Sequence, residues 1–101
     1  MPWVANTLSD ELGVGTKLLL AHTYVGNRRR VQSGEHLEVQ FGQMLQRIYV
    51  VSATPKEMIL ETQVGTRWKA TPATRSEKIQ GFQEGKGTGE RWVVRGEVTP
   101  G

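Results

Sequence analysis

A chain of 101 residues with 37% apolar and 23% charged side chains has material for one domain and one core, and it is too apolar to stay disordered. It has no cysteine, which excludes a disulfide framework, a thiolate zinc site and a thiol nucleophile. Thirteen Lys and Arg face ten Asp and Glu, split five to four in residues 1–50 and eight to six in 51–101, so the net charge of +3 is spread and neither half is a basic arm.

Met1-Pro2-Trp3-Val4-Ala5-Asn6 lacks the basic stretch and apolar run of a leader peptide. The apolar runs Leu18-Leu19-Leu20-Ala21 and Ile48-Tyr49-Val50-Val51 fall far short of the ~20 residues that span a bilayer. The expectation is a soluble, cytoplasmic protein. Pro2-Trp3-Val4 suits a terminus folded back over a barrel end, and Thr7-Leu8-Ser9-Asp10 caps a helical turn near 7–12 that Gly13 ends.

From Thr16 onward the pattern is short β-like runs separated by turns, at the spacing of a sandwich or barrel. Thr16 to Val25 is apolar on both faces through its leucines. Gly26-Asn27 suits a tight hairpin turn, with Arg28 to Gln32 as the return strand. His36-Leu37-Glu38-Val39-Gln40-Phe41 alternates cleanly, sending Leu37, Val39 and Phe41 to one face. Gln46 to Ser52 is β-branched and aromatic, and Ala53-Thr54-Pro55-Lys56 reads as a type I turn. Glu57 to Thr62 and Thr66 to Thr71 form a hairpin around Gln63-Val64-Gly65.

Thr74-Arg75-Ser76-Glu77 has capping-box spacing, which predicts a short helical turn near 75–80. Residues 81–90 form a flexible Gly-rich loop, Arg91 to Val98 the last strand, and 99–101 a tail. Together these predict a single mainly β domain over 1–101, a compact antiparallel barrel or roll of six to seven strands, with α+β as the alternative.

The segment Gly81-Phe82-Gln83-Glu84-Gly85-Lys86-Gly87-Thr88 has the look of a phosphate loop. Its first spacing is one residue short, no hydroxyl directly follows Lys86, and a strand comes next where a helix is required. It reads as a hairpin loop. His36 and Glu38 share a strand face and with His22 form a metal-ligand set, but they lie opposite the apolar face and read as solvated. No metal and no cofactor is expected. The serines sit at turns or caps, with no nucleophile elbow.

His22 and Tyr24 continue the face of Leu18 and Leu20, and with Tyr49 they are the candidate lining of a barrel mouth. Basic and aromatic residues interleave in Arg67-Trp68-Lys69 and Arg91-Trp92-Val93-Val94-Arg95, after the run Arg28-Arg29-Arg30. Cations that track phosphates beside stacking aromatics make a nucleic-acid surface, although strand geometry sends Trp68 away from Arg67 and Lys69. The functional expectation is a non-enzymatic binding module that takes a protein, peptide or small ligand at the mouth beneath the 81–89 loop. A nucleic-acid-binding barrel using Arg28, Arg29, Arg30, Arg67, Lys69, Arg91 and Arg95 is the alternative, and a small β-barrel enzyme with a His-based site at His22 or His36 is third. A homodimer is expected because exposed strand edges need a partner.

Overall fold

In the computed structural model, residues 3–21, 31–77 and 89–99 are described. The strands are β1 (Trp3–Thr7), β2 (Lys17–Ala21), β3 (His36–Phe41), β4 (Met44–Ala53), β5 (Met58–Glu61), β6 (Arg67–Pro72) and β7 (Gly89–Val98). They close into a barrel in the order β1-β2-β7-β6-β5-β4-β3. Strands β3 to β7 form an antiparallel meander, β2 pairs with β7, and β1 lies between β2 and β3.

The β1–β3 pair is parallel, with Ala5 beside Val39, where a wholly antiparallel barrel was expected. The reason is parity. Strand direction cannot alternate all the way round a closed ring of seven, so at least one neighbouring pair must run the same way. Closure also satisfies the outer strands against each other, which removes the edge argument for a dimer.

The alternation read in β3 holds in full: Leu37, Val39 and Phe41 are buried and His36, Glu38 and Gln40 half-buried on the wall. Leu18, Leu20, Ile48, Val50, Met58, Leu60 and Val94 fill the same interior. Two bulges bend the sheet. One lies between Val50 and Ser52 on β4, and the other opposes the Lys69–Ala70 step, leaving Arg95 without a ladder partner on β7. An extra residue in one strand raises local twist, which helps a small barrel close. The first bulge also turns Ala53 toward the interior beside Met58.

At the end formed by the C-terminus of β1, the segment that leads into β2 packs against the barrel. Leu12 packs against the core, and the buried Thr16 takes the Gly13 N–H at 3.0 Å on its hydroxyl. Val94 locks the segment from the other side, accepting from Gly15 N–H at 2.8 Å and donating to Thr16 C=O at 2.9 Å. No helix forms at 7–12: Thr7 belongs to β1, and its hydroxyl accepts the Ser9 N–H at 3.1 Å across a bend. A helix there would have had one inward residue, Leu12, because Leu8 is exposed. The N-terminal segment, expected to fold over a barrel end, is instead strand β1.

On the outer wall Leu19, Val93 and Ala73 form a second small cluster beneath the chain that leaves β6. Ala73 N–H donates to Arg91 C=O at 2.8 Å. The capping box is present in both directions, with Thr74 N–H on Glu77 Oε1 at 2.8 Å and Glu77 N–H on Thr74 Oγ1 at 3.3 Å. The rest of the helical turn expected near 75–80 lies outside the described residues. Among the described residues no helix is long and apolar enough to cross a membrane.

Candidate functional site: a cleft at the barrel mouth

The opposite end of the barrel carries a cleft of about 170 Å³. Four strands build it. Leu20 near the end of β2 sits beside Glu90 near the start of β7, while Ala53 at the end of β4 faces Met58 at the start of β5. Val31, Gln32, Thr54 and Pro55 complete the rim, and Trp92 forms the inner wall.

The walls are mostly apolar. Glu90 is the exception, and among the described lining residues it is the only ionisable one. It points inward because period two carries the buried Trp92 and Val94 back to position 90 on the same face. Its Oε2 accepts the Trp92 indole Nε1–H at 3.1 Å. That bond fixes the carboxylate against the rigid ring, and among the described residues no second donor reaches it. The hydroxyl of Thr54 is engaged in its turn: it accepts from Glu57 N–H at 3.1 Å and Lys56 N–H at 3.3 Å. Among the described residues the cleft thus brings together one acid and a hydroxyl already bonded within its own turn.

Of the expected pocket residues, Tyr49 lies elsewhere. It stands on the outer wall, 38% exposed, with its ring 5.2 Å from that of His36 across the β3–β4 pair. His22 and Tyr24 lie outside the described residues, as do Arg28, Arg29, Arg30 and residues 81–88 of the glycine-rich loop. The loop's last two residues, Gly89 and Glu90, open β7.

The basic residues of the nucleic-acid reading divide over the outer wall. Arg67 faces Glu61 at 3.9 Å and Lys69 faces Glu57 at 3.3 Å on the β5–β6 side. Arg91 is half-buried opposite Leu19 on the β2–β7 side. Arg95 is clamped by Glu77 at 2.6 Å. Trp92 is buried and Trp68 packs against the core, so both tryptophans lie on the face opposite the cations. Among the described residues no group of three His, Asp or Glu stands close enough to hold a metal ion.

Glu90 and Met58 went unnoticed as site residues in the sequence. A strand starting at Arg91 leaves Glu90 in the loop. The usable signal was the two-residue spacing from Glu90 to Trp92, which places an acid on the core face. No protein-family model matches the chain, nor does any curated protein or solved structure, so the site's own chemistry carries the functional reading.

Proposed function

We propose that this protein is a non-enzymatic binding module whose barrel mouth takes one side chain of a protein or peptide partner. The observation that supports this reading is the cleft itself: about 170 Å³, walled by Leu20, Met58, Pro55 and Trp92, at one end of the barrel. Drug-sized ligands occupy pockets of roughly 300–1,000 Å³, so this one suits a single anchoring group. Interfaces concentrate their affinity in such anchors, seated in well-packed pockets.

The nucleic-acid reading has less to stand on. A groove for phosphates needs converging, uncommitted cations, and here Arg67, Lys69 and Arg95 each face a carboxylate while the tryptophans face inward.

Shift mapping by NMR separates the two. With a mixture of short peptides, perturbed resonances should cluster on Leu20, Met58 and Trp92, and Ala53→Phe, which fills the cleft, should abolish them. Perturbation along Arg67, Lys69 and Arg91 by an oligonucleotide, steepest at low salt, with a silent mouth would overturn the proposal.

A further inference from the structure

We infer that the mouth takes a primary ammonium on a short aliphatic stem, the lysine side chain of a partner peptide. The inference rests on the mouth being the binding site and specifies what enters it.

Three features choose the occupant. The first is size: about 170 Å³ admits a four-carbon chain with a small head, and little more. The second is the wall, where Leu20, Met58 and Pro55 offer apolar contact to methylenes. The third is Glu90. Any group filling the cleft displaces water from its carboxylate, which among the described residues accepts one bond, from the Trp92 indole. An anion in that place is repelled. A neutral apolar group leaves a dehydrated charge with one hydrogen bond, which is unfavourable. A cation restores what hydration supplied and makes a charge-assisted bond.

Among cations the geometry favours an ammonium over a guanidinium. A guanidinium binds best as a fork on both carboxylate oxygens. Here Oε2 also carries the indole N–H, and a cleft of about 170 Å³ holds a compact point charge on a thin stem more readily than a wide planar fork.

The test uses three capped tripeptides, glycine-X-glycine with X as lysine, norleucine or glutamate, together with n-butylammonium. The readouts are the Trp92 indole N–H and the Met58 methyl resonances. The lysine peptide should shift both saturably, norleucine should bind at least tenfold more weakly, and glutamate should leave both unmoved. Glu90→Gln, which keeps an acceptor for the indole, should erase the gap between lysine and norleucine. Equal binding of those two peptides, unchanged by Glu90→Gln, overturns the cation assignment while leaving the mouth as the site. Binding of n-butylammonium alone overturns the peptide assignment in favour of a free amine. Silence at the mouth with every probe overturns this inference and the binding reading beneath it.

Discussion

Arg95 and Glu77 meet as a fork on a fork: the two terminal guanidinium nitrogens of Arg95 each donate to a different oxygen of Glu77, both at 2.6 Å. Arg95 Nε donates to Thr71 Oγ1 at 2.7 Å, so the guanidinium ties the chain beyond β6 to β7 at its bulge. Arg95, together with the Thr74 N–H, holds the Glu77 carboxyl down from its ordinary value of 4.5 to about 2. A carboxyl whose folded value is depressed binds fewer protons folded than unfolded. Its stabilisation is therefore complete above about 4.5 and is lost as pH falls toward about 2. Glu77→Gln should lower the urea midpoint by a constant amount from pH 5.5 to 8. Below pH 4.5 the gap to wild type should narrow steadily and still be closing at pH 2.5. A gap that stays constant from pH 6 to 3 would show that the carboxylate's charge contributes nothing.

Burial inside the barrel separates residues that look alike in the sequence. Leu60 is fully buried between Val50 and Trp68 on neighbouring strands, whereas Val64, four positions on, is 88% exposed in the β5–β6 turn. Leu60→Ala removes packed methyl groups and leaves a cavity, at a cost of about 2–5 kcal/mol. Val64→Ser should stay within about 0.5 kcal/mol of wild type, as exposed substitutions do. Chemical denaturation of both variants checks the pair; a large loss at Val64 would place that side chain in an interface.

The β class and most strand positions could be read because period-two burial leaves its mark wherever one face is wet, as in Leu37, Val39 and Phe41 of β3. Strand ends were less legible. Met44 and Leu45 extend β4 two residues earlier than expected and are exposed, so no burial pattern announces them. Closure through a parallel β1–β3 pair was not readable at all, since it follows from counting strands around a ring and Trp3–Thr7 carries little periodicity of its own. The candidate site suffered most from a boundary. A last strand that starts at Arg91 and not at Gly89 leaves Glu90 off the interior face, and Glu90 is the one ionisable residue among the described lining of the mouth. Tyr49 stands in a good strand, but its neighbours Ile48 and Val50 take the inward positions, which turns its ring to the outer wall.

The β5–β6 connection depends on a backbone conformation that only glycine adopts cheaply. Gly65 has φ +89°, and its N–H closes the turn on Thr62 C=O at 3.0 Å. A Cβ there meets nothing within 4 Å, so the penalty for Gly65→Ala is purely conformational, about 1 kcal/mol. Gly13 is the internal control: a Cβ on it also meets open space, and its φ is not positive. Gly13→Ala should be neutral or stabilising by about 0.5 kcal/mol, through loss of freedom in the unfolded chain. Equal destabilisation at both positions would show that something other than backbone conformation decides the cost.

The binding test at the mouth depends on Glu90→Gln leaving the barrel intact, and that is a prediction in its own right. The glutamine carbonyl can accept the Trp92 indole N–H in place of Oε2, so the contact that orients the ring survives. Glu90 is only half-buried, so its carboxylate is not a fully desolvated charge. Neutralising it therefore removes little from the folded state, and the urea midpoint should correspond to a change within about 0.5 kcal/mol. Trp92→Phe, by contrast, removes the donor as well as part of a buried ring and should cost about 1–3 kcal/mol. A loss above 1 kcal/mol in Glu90→Gln would make the carboxylate part of the fold's own support. Stability that holds while lysine-peptide binding falls would assign Glu90 to recognition, because the folded state keeps everything except the charge.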